Sequence, residues 1–379
     1  MIYLDYSATT PLNRKVLDVY EAVSIRYFAN PNSHHQLGRQ AKALIDQATN
    51  EIAGILKIKP EEIIYTSGAS EANNTALISL AERQNRYGRQ IITTELEHSS
   101  IYGPLSNLTD HGYQDDFVGL DENGLVDLAE LESRLSSETI MVIVSLINSE
   151  TGIKQDIKAI RQLLLNYPNC LLHVDITQAV GKIPVDLSLI DTAALSAHKF
   201  YGPKGIGLLY KKERLTFRPL IAGGKSTTVY RSGTPATPLI IAMKEALEIA
   251  DRNLAENYRY VQELNTYLRT ELQFLPDVRI NSNAFSIPHI LNISVLGVIP
   301  DDFIYELEKQ EVYISSQSAC ALGDVSKAVL ALTHDHERAV SSLRISLSAC
   351  TTAAEIKQFL LIFRQVYDKI KDLPTKVSM

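Results

Sequence analysis

The sequence predicts an α/β protein: a large domain on a mostly parallel, doubly wound sheet, joined to a smaller α+β domain. Three observations carry this. From about residue 60 to 210, the runs EEIIYT, RQIITT, IMVIVSLI, CLLHVDI, TAALSA and IGLLY are rich in Ile, Val and Leu without polar alternation. Strands buried on both faces of a parallel sheet read this way. The segments between them, such as SEANNTALISLAERQ and DIKAIRQLLLNY, space their apolar residues as helices do, and alternating strands and helices give a parallel sheet. The C-terminal third changes character. HILNISV, EVYIS and SLRISLS read as strands, separated by helical stretches around Asp302–Lys309 and Val325–Leu332.

Two further helices follow from spacing. After Pro238, the residues Met243, Leu247, Ala250, Leu254, Tyr258, Val261, Leu264 and Leu268 recur at steps of three and four. This predicts one long helix able to bridge two domains. The last helix opens with Thr352 and Glu355 in capping-box spacing. Its apolar face is Ile356, Phe359, Leu360, Phe363 and Val366. At 379 residues the chain exceeds what one core usually serves. We expect a large domain over residues 13–251 and a small one formed by 1–12 with 252–379.

Composition narrows the function classes. Hydrophobic residues make up 45% and charged residues 21%, and 37 Lys+Arg against 44 Asp+Glu give −7 without a long run of either sign. No nucleic-acid footprint or basic membrane arm is expected. The opening MIYLDYSATTP brings Asp5 too early for a secretory apolar region, and no apolar run reaches about 18 residues. Cys170, Cys320 and Cys350 lack the pairing of a disulfide framework or a zinc site, so no metal is expected and a reducing cytoplasm is the expected home.

Three motifs carry chemistry. Thr66-Ser67-Gly68-Ala69-Ser70-Glu71 joins a strand to a helix, where unpaired N–H groups suit a phosphate. Ser70 could cap that helix and contact an oxygen. A plain turn with a serine cap is the alternative reading. In His173-Val174-Asp175-Ile176-Thr177-Gln178, Asp175 ends a buried strand, where open α/β sheets bind ligands. A carboxylate there can keep a pyridinium nitrogen protonated, or merely cap the next turn. In Ser196-Ala197-His198-Lys199-Phe200-Tyr201-Gly202-Pro203-Lys204, Lys199 sits in a Gly- and Pro-containing loop after an apolar strand. It is the candidate amine for the aldehyde of pyridoxal phosphate, and Lys204 is the exposed control.

With these motifs in view, the chain resembles the cysteine desulfurases of the class V aminotransferase family, close to the NifS/IscS type. YLDYSATTP, NPNSHHQLG, TSGASEANN, EHSS, NSETG, HVDITQAVGK, SAHKFYGPKGIG, YRSGT, SSQSAC and SLRISLS occur in the family's order across nearly the whole chain. The resemblance implies the pyridoxal-phosphate-dependent transferase fold type I, and with it a set of roles. His98 would stack on the cofactor ring and help in proton transfer. Asn148 and Gln178 would sit near the ring oxygen, with Asn148 also near substrate. Asp175 would hold the ring nitrogen, and Ala69, Ser70, Ser196 and His198 the phosphate. Thr234 would reach a phosphate in the neighbouring subunit of a homodimer. Lys199 would carry the cofactor, Arg344 would bind the substrate carboxylate, and Asn30–His35 would lie near the entrance.

The implied reaction takes sulfur from L-cysteine to the Cys320 thiolate, leaving alanine. A sulfur-acceptor protein of scaffold or tRNA-thiolation type would then receive it, for iron–sulfur clusters or thiolated cofactors and tRNA. Ser315–Asp324 is small and polar, includes Gly323 and has no proline. It is expected to be a mobile loop that carries Cys320. Cys170 and Cys350 fall outside the sulfur motif and read as small structural residues. Two segments depart from the family pattern: Ala222–Thr228, and Gln317 to Leu322 around the nucleophile. The rival readings are selenocysteine lyase, another lyase or an aminotransferase on the same scaffold. Gly224-Lys225-Ser226 also mimics the end of a phosphate-binding loop, with Pro219 where its first glycine should stand.

Overall fold

The structure, a computed structural model, describes residues 1–316 and 325–371. Among these residues the strands are β1 (Ile2–Tyr3), β2 (Ile63–Thr66), β3 (Gln90–Thr93), β4 (Gln114–Phe117), β5 (Thr139–Ser145), β6 (Leu171–Asp175), β7 (Thr192–Ser196), β8 (Gly207–Lys211), β9 (Val278–Ile280), β10 (Ile290–Val295), β11 (Val312–Tyr313) and β12 (Ser342–Ser346). Seven form one sheet in the order β2-β8-β7-β6-β5-β3-β4. Only β8 runs antiparallel to its neighbours.

Side-chain alternation explains the layering. Along β5, Val142 and Val144 join a core with Ile45, Ile52, Met243 and Leu247. Met141 and Ile143 point the other way, into a core with Leu77, Leu80, Ile101 and Leu105. A period of two feeding two helical layers is the doubly wound arrangement. The helices Arg14–Arg26, Gln36–Leu56 and Thr237–Arg252 cover the first face. The helices Ala69–Gln84 and Ser99–Asp110 cover the second. Strand β4 was not anticipated. Its QDDF is mostly exposed at the sheet edge, where charge blocks unwanted pairing instead of marking a buried strand.

A second sheet, β12-β10-β9, packs under Val261, Leu264, Phe303, Phe359 and Phe363. The first residues of the chain join it. β1 pairs in parallel with β11, and Ile2 and Leu4 enter the same core. The final helix is closed as expected: Glu355 N–H donates to Thr352 Oγ1 at 3.1 Å while Thr352 N–H donates to Glu355 Oε2 at 2.7 Å.

The long helix after Pro238 is two helices, Thr237–Arg252 and Leu254–Leu272. They meet at Asn253, whose Nδ2 turns back to the Ile249 carbonyl at 2.9 Å. Such local bonding competes with the helical ladder. The apolar stripe is continuous in sequence, but Met243 and Leu247 serve the first core and Val261 and Leu264 the second. Gly224-Lys225-Ser226 is followed by no helix before Thr237, so it is not a phosphate-binding loop of that kind.

Candidate active site

The carboxyl ends of the large sheet converge on one cavity of about 230 Å³. Its lining includes Ala69, Ser70, His98, Asp175, Gln178, Ser196, His198, Lys199 and Arg344. Nine residues separated by up to 275 positions in the chain thus share one space. The turn after β2 approaches β8 closely: a Cβ on Gly207 would lie 2.4 Å from the Leu195 carbonyl and 2.6 Å from Gly68 Cα. Only glycine lets these backbones meet, and the meeting brings the start of helix Ala69–Gln84 to the end of β7. There Ala69 N–H donates to Ser196 Oγ at 2.7 Å. Ser70 is not the cap of that helix. Gly68 is, and Ser70 lies exposed in the first turn.

Asp175 ends β6. Its Oδ1 accepts from Thr177 N–H at 2.8 Å and its Oδ2 from Asn73 Nδ2 at 2.9 Å. It therefore caps a turn and also faces the cavity, so the two readings of this residue coexist. Behind it, His173 Nε2 meets Asn73 Oδ1 at 3.0 Å and His173 Nδ1 meets Thr192 Oγ1 at 2.8 Å. Asn73 donates its amide hydrogens to Asp175 and Ser100, so its oxygen must accept and Nε2 of His173 must carry the proton. Burial, only partly opposed by Asp175, lowers the His173 pKa to about 4 and keeps the ring neutral. Asn73 and His173 had no assigned role in the sequence. Their signal was only their place inside the TSGASEANN and HVDI motifs.

His98 caps helix Ser99–Asp110. Its Nδ1 accepts from Ser100 N–H at 3.1 Å, which places the proton of the neutral ring on Nε2. Burial lowers its pKa, Lys199 adds to this, and Asp175 opposes it. Beneath it, Glu97 accepts from Ser145 N–H, Ser145 Oγ and Thr94 Oγ1 at 3.0, 2.7 and 2.8 Å. Burial still pushes its carboxyl up to about 7.

Lys199 follows β7 and donates from Nζ to the carbonyls of Ser7 and Ala8. The N-terminal segment clamps its loop. Thr10 N–H donates to the His198 carbonyl at 2.9 Å, and Tyr201 N–H donates to Thr10 Oγ1 at 2.7 Å. Tyr201 holds φ = 65°, unusual for a bulky residue and sustained by these bonds. His198 Nδ1 lies 3.1 Å from Thr9 Oγ1, and burial, reinforced by Lys199, lowers its pKa to about 4. The opening motif supplies this clamp, a role its residues did not announce. Lys204 is exposed.

Arg344, in the middle of β12, is the largest fully buried side chain. It donates to Asp5 Oδ1 at 2.8 Å and to the Ser149 carbonyl at 3.2 Å. Among the described residues its buried Nε has no hydrogen-bond partner. A guanidinium left short of acceptors at a cavity wall suits a carboxylate.

Two of the candidate residues, Asn148 and Thr234, do not line this cavity. Asn148 does not line the cavity, although Ser149 does. Its amide holds a turn, with Nδ2 donating to the Leu96 carbonyl at 2.9 Å and Oδ1 accepting from Thr151 N–H at 2.7 Å. Thr234 lines a separate pocket of about 80 Å³ with Arg231, which is held to Glu71 at 2.8 Å. Thr234 itself is exposed. The Asn30–His35 segment does not line the cavity; Asn32 Nδ2 instead reaches the Lys225 carbonyl at 3.4 Å. Cys320 lies outside the described residues. The flanks of its segment are placed: Ser315 pairs with Arg344, and Ser326 Oγ donates to Glu150 Oε2 at 2.7 Å. Cys170 is buried, and burial pushes its thiol up to about 12, which makes it an inert core residue. Cys350 is exposed, so it is not a core residue.

The donor set fits pyridoxal phosphate. An amine, a cavity-facing carboxylate, a helix start with two nearby hydroxyls, and an Arg344 Nε unpartnered among the described residues answer its aldehyde, ring nitrogen, phosphate and amino-acid partner. Comparison with known proteins agrees. The profile of the family described as Aminotransferase class-V matches residues 2–359. A "NifS/IcsS protein homolog" of Lactobacillus delbrueckii subsp. bulgaricus is 34% identical, over 97% of each chain. "Cysteine desulfurase IscS" of Vibrio cholerae is 36% identical, over 98% of this chain and 93% of that one. A solved structure titled "NIFS-LIKE PROTEIN" superposes with a TM-score of 0.92 at 31% identity, covering 98% of this chain and 100% of that one. A buried, cofactor-fitting cavity and full-length likeness lead to one conclusion: the chain belongs to the class V aminotransferase family of pyridoxal-phosphate enzymes, among its NifS/IscS-type members.

Proposed function

We propose that this chain is a cysteine desulfurase that converts L-cysteine to L-alanine and carries the sulfur away on Cys320. One observation carries the reading. A single cavity joins an amine, a carboxylate, a neutral imidazole and a guanidinium under-partnered among the described residues, and Ser315, before the segment bearing Cys320, pairs with the cavity's Arg344.

Pyridoxal phosphate supplies, when bound, an aldehyde that captures an amine and a ring that draws electrons from Cα. The chain's residues do the rest. Asp175, oriented by Asn73 and the Thr177 N–H, would hold the ring nitrogen protonated. His98 would lie against the ring, and Gln178 would face the ring oxygen, with Asn148 shaping that wall through its turn. Ala69 N–H, Ser70, Ser196 and His198 would hold the phosphate. Arg344 would fix the substrate carboxylate through Nε and one Nη. Lys199 Nζ then removes the proton at Cα. The Cys320 thiolate attacks the substrate sulfur, so the S–S bond forms as the Cβ–S bond breaks. The balance is L-cysteine plus a thiol giving L-alanine plus a persulfide.

Thr234, exposed and outside the cavity, is available to a second copy, so we take the working unit as a homodimer. The persulfide would pass to an acceptor protein in the cytoplasm, for iron–sulfur or thiolated products. The large domain would span 13–251, and 1–12 would join 252–379. Among the described residues no helix is long and apolar enough to cross a membrane. The test is direct. The purified chain should be yellow, release alanine from L-cysteine, and, without reductant, show one added sulfur on the peptide bearing Cys320. Sulfur on Cys170 or Cys350 alone, or alanine formation undiminished in Cys320→Ser, overturns it.

A further inference from the structure

We propose that Lys182 is a positioning residue: its ammonium anchors the Gln178 amide oxygen and thereby turns the Gln178 amide nitrogen toward Ser7 and the cofactor cavity. This rests on the reading of that cavity as the pyridoxal-phosphate site.

The direction of each bond follows from donor chemistry. A carbonyl only accepts, so at 2.9 Å from the Ser7 carbonyl the Gln178 atom must be Nε2. That leaves Oε1 to accept from Lys182 Nζ at 2.8 Å. The same carbonyl accepts from Lys199 Nζ. The chain Lys182–Gln178–Ser7–Lys199 thus ends on the amine of the active site. Gln178 lines the cavity, and Nε2 carries a second hydrogen that an oxygen bound there can accept. With the anchor removed, the buried Oε1 would lack its donor, and the amide could turn from the Ser7 carbonyl to find one, drawing Nε2 away from a ring oxygen.

Lys182 itself stands outside the cavity and lines a separate groove of about 1080 Å³. It is 7% exposed and makes no ion pair among the described residues. The charges that act on it are cations: Lys199 and Arg344 both work against its charge, and Lys182 in turn depresses the buried His289, whose Nδ1 is unpartnered among the described residues. Burial above all pulls its pKa down to about 7. A buried ammonium among cations is costly to keep. Its one strong bond among the described residues is to the Gln178 amide, which points to the amide as its purpose.

The experiment uses the cofactor-loaded enzyme and its visible absorption band. A donor at the ring oxygen favours the ionised ring, so losing it raises the pH midpoint of the colour change. Lys182→Met should raise that midpoint by about one unit, a tenfold change in proton affinity, and weaken cofactor uptake several-fold. Lys182→Arg should restore both. In a Gln178→Ala background, Lys182→Met should add nothing, because one interaction cannot be lost twice. An unshifted midpoint in Lys182→Met, or a full shift that persists in the Gln178→Ala background, overturns the assignment. Should Lys182→Met not fold, Lys182→Gln decides: it lacks the ammonium and ends one bond short of Oε1, so a midpoint raised by about one unit supports the anchor and a midpoint near wild type overturns it. A wild-type chain that takes up no pyridoxal phosphate breaks the cofactor reading and this one with it. Normal loading with an unchanged Lys182→Met titration breaks this one alone.

Discussion

Strand β7 has a charge at each end, buried at one and half-buried at the other, and the two ends are built on opposite principles. At its amino end, Asp191 is 1% exposed and fully answered. Arg161, Arg214 and Lys212 lie at 2.5, 2.6 and 3.2 Å, and Leu172 N–H donates at 2.9 Å. Burial pushes its pKa up, but Arg161 and the other donors outweigh this and hold it below the ordinary carboxylate value. At the carboxyl end, Lys199, Lys182 and Arg344 lie near one another, with Asp5 on Arg344 and Asp175 facing the same cavity; the nearby histidines are neutral, and Arg344 Nε has no acceptor among the described residues. One end is closed for stability. The other is left short of negative charge, and an anionic cofactor and an amino-acid carboxylate complete it.

Substitutions at the two ends should therefore separate activity from stability. The largest effect is expected from Lys199→Ala. Turnover should fall by at least roughly 10³-fold and the cofactor's visible band should be lost, with Tm held. An unchanged spectrum would remove Lys199 from the site. Next is Asp191→Asn, which strips a buried pair of one partner and should cost about 3 kcal/mol in urea unfolding while alanine formation by the folded enzyme persists. Because the folded pKa of Asp191 is depressed, its contribution is present above the unfolded value of 3.8 and disappears as pH falls through the folded value. Stability indifferent to this change would show the cluster to be dispensable.

Arg344→Lys should raise the cysteine KM some 10- to 100-fold, because a point charge cannot reproduce a fork, at about 1.5–3 kcal/mol for a charge-assisted bond. A wild-type saturation curve would refute carboxylate binding there. The smallest effect concerns Glu97. Its pKa is raised from 4.5 to about 7, so its stabilising share is full below pH 4.5 and is lost as pH rises through 7. Wild-type Tm should carry a downward slope in that window, which Glu97→Gln lacks. Parallel slopes in the two proteins would place the titration elsewhere.

The sequence by itself determined the two-sided sheet, since unbroken runs such as IMVIVSLI have no other comfortable place than between two helical layers. It also determined the chemical types at the site. Lys199, Asp175, His98, Gln178 and Arg344 stand in ordered motifs, and the cavity gathers them. What it could not decide was contact. The stripe from Met243 to Leu268 is one helix by spacing and two by packing, because period alone does not say which core a residue enters. Asn148 is polar and well placed in its motif, yet its amide closes a turn. Ser7, Asn73 and Lys182 had no marked chemistry of their own, and they matter only through partners up to 192 positions away, such as the Ser7 carbonyl that receives Lys199. Residue type and periodicity are local properties and can be read along the chain. Which donor meets which acceptor, and which buried charge is left unanswered, is settled only when distant segments close on one another and exclude water.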